Sequence, residues 1–323
     1  MTYTDLLTPA FRALSARLGQ DPLQVQGPGG NTSIKNDDVM WIKASGTELA
    51  QAVISDIFVA VDRRAALAEA REEAGDGSCK STVIDPAITL RPSIETTFHA
   101  ALDWPVVVHT HSAVTIAHSI SPQGRAALDE KLADIPYVQV PYAKPGLPLT
   151  REILAQVKPE TQVIILQNHG LICCGETVDA VSDLIGEVER RLQLATHDTF
   201  QETPNEPAAD GFLWSDYGWL ACNDIAKNRA VSGTYYPDHV VFLGPALPTS
   251  DHDGARPAVL HPGKGVLIRE GATPSQLAML KCLSEVLSRV PADWQVQPIG
   301  PDAEASLLNW DAEKYRQALA ART

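Results

Sequence analysis

The chain has 323 residues, 44% of them hydrophobic and 20% charged, with a formal net charge of −14. That length is ample for a large core in one domain or two unequal ones, and the acidic balance argues against a nucleic-acid partner, which needs a basic footprint. No apolar run approaches the ~20 residues that span a bilayer, so a membrane is not an expected partner either.

The N-terminal stretch MTYTDLLTPAFRALSARLGQ places Leu6, Leu7, Phe11, Leu14 and Leu18 at helical spacing. It predicts a helical region over roughly 3–19, interrupted or restarted at Pro9. It has no apolar h-region and no small-residue cleavage site, so it does not read as a signal peptide, and a cytoplasmic location is expected. Residues 27–36, GPGGNTSIKN, are glycine-rich and polar. They are either a surface turn or a backbone cradle for an anion. VMWIKAS (39–45) and IFVAVD (57–62) read as strands, and RRAALAEAREEA (63–74) as a short helix. SIETTFHAAL (93–102) reads as a helix with Ser93 as its N-cap. VVVHTHS (106–112) is a β-branched run and predicts a buried strand, with AVTIAHSI (113–120) a helix after it. QVIILQ (162–167) predicts a second buried strand, NHG a turn, and LICC (171–174) the return strand. Residues 177–199 predict a long helix with Val178, Val181, Ile185, Val188 and Leu192 on one face.

Residues 200–212, rich in proline and acids, read as a linker. Beyond it, HVVFLG (239–244) and GVLIRE (265–270) read as strands. Residues 273–290 read as a helix with Pro274 at its first position, and 306–320 as a final amphipathic helix. The expected division is a main domain at 1–199 and a small α/β extension at 213–323. The five cysteines, Cys79, Cys173, Cys174, Cys222 and Cys282, form no C-x-x-C pair, and their odd number fits reduced thiols.

Three stretches carry chemistry. His109 and His111 stand two apart in a strand, so they project to one face ~6.5–7 Å apart along it. Two such imidazoles can reach one metal ion, or be core histidines paired with carbonyls. His169 falls where a buried strand ends in an Asn-x-Gly turn, a place where ligands converge and also an ordinary place for a turn histidine. Three imidazoles with an open fourth position make a catalytic zinc arrangement. Glu95 lies in the first turn of its predicted helix, where the helix dipole alone favours an acid. His99, one turn on, is a further ligand or a packing residue behind the site.

The motifs GGNTS, KASGTEL, RPSIETTFHAAL, VVVHTHS, PYAKPG and LQNHGLI occur in the order and at about the spacing of the class II aldolase/adducin family. The chain resembles that family over residues ~1–200, and the wording GPGGNTSIK, WIKASG and LRPSIET is most similar to its rhamnulose-1-phosphate aldolase-type branch. The resemblance implies a three-layer α/β/α sandwich with a mostly antiparallel sheet, assembled as a homotetramer with the site near a subunit interface. It implies one Zn2+ per chain, or another divalent metal, on His109, His111 and His169. Glu95 falls at the family's catalytic glutamate, which ligates the metal at rest and moves a proton when substrate arrives. The glycine-rich loop falls at the phosphate-binding segment, with Gly30, Asn31 and Thr32 as contacts and Ser45, Gly46 and Ser93 as the others. Where fuculose-phosphate-type members carry two serines before the glutamate, this chain has Ser93 and Ile94, leaving Arg91, Lys43 or Lys35 to compensate. The family's tyrosine acid has no clear match beyond the candidates Tyr137 and Tyr142. The implied reaction is aldol cleavage of a ketose 1-phosphate to dihydroxyacetone phosphate and an aldehyde. Decarboxylation and 4-epimerisation are the alternatives, and a non-catalytic adducin-like module is disfavoured by the intact histidine set.

Overall fold

A computed structural model describes residues 3–250 and 254–320. Its centre is a seven-stranded sheet of order β3-β2-β1-β4-β7-β6-β5. The strands are β1 (Asn31–Lys35), β2 (Val39–Lys43), β3 (Phe58–Asp62), β4 (Val106–Thr110), β5 (Tyr137–Val140), β6 (Val163–Leu166) and β7 (Gly170–Gly175). Every neighbouring pair is antiparallel except β5 with β6.

The sheet is buried on both sides because its strands are apolar at successive positions. Val106, Val108 and Cys173 face one layer, packed on Phe11, Leu14 and Leu18 of α1 (Pro9–Gln20). Val107 and Cys174 face the other, packed on Phe98. The adjacent cysteines are thus free thiols sent to opposite cores. The second layer is built by α2 (Arg63–Ala70) and α3 (Thr96–Ala101). Next come α4 (Ala113–Ser119), α5 (Pro122–Lys131), α6 (Leu147–Gln156), which joins the second layer, and α7 (Val178–Leu192), which joins the first.

Residues 193–211 carry neither helix nor strand. After them come a three-stranded sheet, β8 (Phe212–Trp214), β9 (Ala258–His261) and β10 (Gly265–Arg269), and helices α8 (Trp219–Cys222), α9 (Asp224–Val231), α10 (Pro237–Leu243), α11 (Pro274–Arg289), α12 (Pro301–Leu308) and α13 (Asp311–Ala320). Most of their buried apolar residues belong to one hydrophobic cluster, Tyr235, Val240, Leu283 and Leu307 among them, which also takes in Ile116 and Ala117 of α4 and Ile120 at its C-cap.

Several expectations need correction. The expected strand 239–244 is helix α10: Pro237 sits in its first turn, Asp238 follows there, and all seven of its residues are buried. An apolar run buried all round carries no periodicity with which to tell strand from helix. Ser93 is not the N-cap of α3; Glu95 is. The helices expected at 63–74 and 177–199 end at Ala70 and Leu192, and the final helix is broken into two around Asn309. The glycine-rich stretch is half loop and half strand, since β1 begins at Asn31. Among the described residues no helix is long and apolar enough to cross a membrane.

Candidate metal centre

β4 delivers His109 and, one residue past its end, His111. The tight turn joining β6 to β7 delivers His169. That turn is held by Asn168 in a left-handed conformation (φ 55°), its side-chain amide donating to the carbonyls of Tyr235 (3.0 Å) and Gln297 (2.8 Å). Gly170 follows, where a Cβ would lie 2.2 Å from the carbonyl oxygen of Thr110. The three rings meet with centroids 4.9–5.2 Å apart. One nitrogen from each lies within 4.8 Å of the others, close to the ~4.2 Å limit for atoms sharing an ion at ~2.1 Å.

All three are buried. Burial holds His109 down to about 4 and His169 well below the usual histidine range, with neighbouring imidazoles adding to the effect on each. Both are therefore neutral at neutral pH, the form that binds metal. His109 Nδ1 donates to the Leu171 carbonyl (3.1 Å), which leaves Nε2 as its ligand atom. That Nε2 and His169 Nδ1 have no hydrogen-bond partner among the described residues. Buried polar atoms without partners are rare, and the unpartnered Nε2 of His109, which faces Glu95, is the atom a metal would take; His169 faces Glu95 with Nε2 rather than Nδ1.

Glu95 faces the same point. Although it occupies the N-cap of α3, its side chain makes no capping bond. The carboxylate turns away from its own helix, with Oε2 3.6 Å from His109 Nε2 and Oε1 3.7 Å from His169 Nε2. The helix-dipole account therefore does not explain its position. Asn31 fixes it instead, donating from Nδ2 to Glu95 Oε2 at 2.7 Å. Asn31 Oδ1 in turn accepts from His99 Nε2, and His99 Nδ1 accepts from Ser33 Oγ at 2.7 Å. Burial keeps His99 neutral, as this donor–acceptor order requires. His99 thus stands behind the site and supports Asn31.

A cavity of about 30 Å³ lies beside the histidines, lined among others by Gly30, Asn31, Lys43, Ser45, Gly46, Ser93, Glu95, His111 and His169. Most residues expected to contact an anion do border it. Ser93 Oγ accepts from the Glu95 N–H (3.2 Å) and so orders the turn before α3. Three expected residues lie outside this lining. Thr32 points away, its hydroxyl paired with Ser15 Oγ at 2.8 Å. Arg91 is exposed and stacks over Tyr315 (4.0 Å), lining a larger cavity of about 490 Å³ that shares Ser45, Ile94 and Pro145 with the first. Lys35 is buried in β1 outside the cavity lining, and its ammonium has no partner among the described residues. Lys43 lines the cavity, but its Nζ donates to the carbonyls of Pro28 (2.8 Å) and Gly30 (2.9 Å), tying down the glycine loop. Tyr137 bonds Asp129, and neither it nor Tyr142 borders the cavity.

Two lining residues were missed from the sequence, Asp238 of α10 and Arg316 of α13. Arg316 Nη1 and Nη2 donate to the Asp238 carboxylate (2.8 and 3.2 Å), and Nη1 also to Glu313 (2.8 Å). Burial alone would raise Asp238; Arg316 and His111 outweigh it and hold the carboxyl well below the usual range. The side chain of Leu319 covers Gly46, where a Cβ would lie 2.3 Å from its Cδ1.

Residues 12–196 match the family model for the class II aldolase and adducin N-terminal domain. The chain belongs to this family. It is 28% identical over 208 residues to the uncharacterized oxidoreductase YuxG of Bacillus subtilis (57% of this chain, 29% of that protein). It is 32% identical over 117 residues to the 3-oxo-tetronate 4-phosphate decarboxylase of Escherichia coli K12 (32% and 55%). Against the L-fuculose phosphate aldolase of Haemophilus influenzae it is 30% identical over 177 residues (51% and 70%). The chain thus spans less than two thirds of the first two relatives. The N-terminal class II aldolase domain of a conserved protein from Thermoplasma acidophilum superposes with a TM-score of 0.51 at 26% identity, covering 59% of this chain and 93% of that one. The matched family domain ends at residue 196, so Asp238 and Arg316 lie beyond it.

Proposed function

We propose that this chain is a metal-dependent carbon–carbon lyase that cleaves a ketose 1-phosphate to dihydroxyacetone phosphate and an aldehyde. The observation that carries the reading is the convergence of three buried imidazoles beside a carboxylate that is neither capping a helix nor paired with a cation. His109, His111 and His169 would hold a divalent ion, zinc by their ligand chemistry. Bound there, it would supply Lewis-acid stabilisation of the charge that develops on the substrate's oxygens.

The chain's own residues supply the rest. The C3–C4 bond breaks as the C4 hydroxyl loses its proton, and C3 of the three-carbon fragment then gains one. Glu95, whose Oε1 has no hydrogen-bond partner among the described residues, takes up a proton from solvent and delivers it to C3. Asn31 keeps its Oε2 in place, so the transfer is made from a fixed position. Backbone N–H groups of the glycine loop, with Ser45 and Ser93, orient the phosphate. The proton of the C4 hydroxyl is taken by a group from a neighbouring subunit of a tetramer. Residues 213–323 form an extension docked on the 1–199 unit through α4.

Decarboxylation of a sugar-acid phosphate is the second reading, favoured by the decarboxylase relative. The test is product analysis with a panel of ketose 1-phosphates and 3-oxo acid phosphates on zinc-loaded protein. Aldehyde release supports aldol cleavage, carbon dioxide release supports the second reading, and neither product refutes both. Glu95→Gln should keep zinc bound and lower turnover by ~10²–10⁴-fold; undiminished turnover removes Glu95 from the mechanism. His111→Ala should lose the metal.

A further inference from the structure

Asp238 is the one carboxylate of the C-terminal region that reaches a histidine of the candidate metal centre among the described residues. Its Oδ2 lies 3.3 Å from His111 Nδ1. Both side chains are buried, at 1% and 5% exposure. A first-turn acid on a helix normally needs no further partner, yet this one is clamped from behind by Arg316, which sets the direction in which the carboxylate points. The approach is also close. Gly29 packs against the pair so tightly that a Cβ would stand 2.8 Å from His111 Nδ1 and 3.0 Å from Asp238 Oδ2.

We propose that Asp238 is a positioning residue for the metal, acting through His111. The carboxylate accepts the Nδ1 proton, fixes the tautomer and presents Nε2 to the ion. Arg316 of α13 holds the carboxylate in register. His109 is oriented from within the N-terminal region, by the Leu171 carbonyl, and His169 by a turn that Asn168 ties to the carbonyls of Tyr235 and Gln297. Among the described residues, His111 is the imidazole of the three that a carboxylate beyond the matched family domain reaches directly. This inference rests on the metal reading of the three histidines.

The test is zinc affinity, measured by competition with a chromophoric chelator. Asp238→Asn keeps the shape but makes a far poorer acceptor, and should weaken zinc binding by ~10–100-fold. Its ring ¹⁵N spectrum should show His111 losing the fixed Nδ1–H form, a signature that a merely structural role would not move. Glu313→Gln loosens the same buried network without touching His111 and should bind zinc within threefold of wild type. If Asp238→Asn does not fold, Arg316→Gln, which leaves the carboxylate in place without its clamp, should give an intermediate loss. Wild-type zinc affinity in Asp238→Asn, with His111 unchanged in the ¹⁵N spectrum, overturns the proposal. An equal loss in Glu313→Gln overturns it too, by making the effect one of packing. Zinc binding absent from the wild-type protein instead defeats the metal reading itself.

Discussion

Replacing Asn31 by alanine removes the central link of the chain Ser33–His99–Asn31–Glu95. Two costs follow from the geometry. The 2.7 Å bond from Nδ2 to the Glu95 carboxylate is lost, worth about 1.5–3 kcal/mol for a hydrogen bond to a charged group. The Nε2–H of His99, fully buried, loses its acceptor, at about 1–3 kcal/mol for a stranded donor. The sum is about 4 kcal/mol, large against the 5–15 kcal/mol of an ordinary fold. The assay is urea denaturation of the metal-free protein, followed by fluorescence, with Thr32→Ala as the neighbouring control. Thr32 makes one neutral bond, to Ser15, and its loss should cost about 1 kcal/mol. If Asn31→Ala costs no more than Thr32→Ala, the relay does not hold Glu95, and the account of how that carboxylate is aimed fails.

Lys35→Met should stabilise the protein, because burial lowers that amine from 10.5 to about 7 with no partner to offset it among the described residues. The folded state sheds this proton before the unfolded state does, so wild-type stability rises as pH climbs from about 7 to 10.5. The gain in the variant, about 2–5 kcal/mol at or below pH 7, should vanish by pH 10.5 in parallel unfolding titrations. In acid the slope has the same sign. Burial lowers His118 to about 4 and His239 to about 3, so below pH 6.5 the unfolded chain takes up protons that the folded one refuses. Stability should fall as pH drops from about 6.5 to 4, by up to about 3 kcal/mol per ring. A flat urea midpoint over that range would contradict it.

Local patterns made much of the site legible. A two-residue spacing on a β-branched strand set His109 beside His111, and a turn signature placed His169 at a strand end. What stayed hidden was the part made by partners far apart in sequence. Glu95 could be named, but its aim depends on Asn31, 64 residues earlier. Arg91 and Lys35 were eligible by charge alone; exposure removes one and complete burial the other. Asp238 was obscured because the run after it, HVVFL, has the composition of a strand. Only packing on all sides reveals it as a helix, with its second residue against His111. Arg316 carries no local signal at all.

The linkage from Arg316 through Asp238 to His111 has a consequence for how the protein is made. A ribosome delivers the chain from the N-terminus, and early segments fold first. The seven-stranded sheet, ending at Gly175, is synthesised before the carbonyls of Tyr235 and Gln297 that hold the His169 turn, and before Asp238 and Arg316. During that interval His111 has no carboxylate behind it and the turn of His169 has no anchor. Emergence of the last helix completes the linkage from Arg316 through Asp238 to His111.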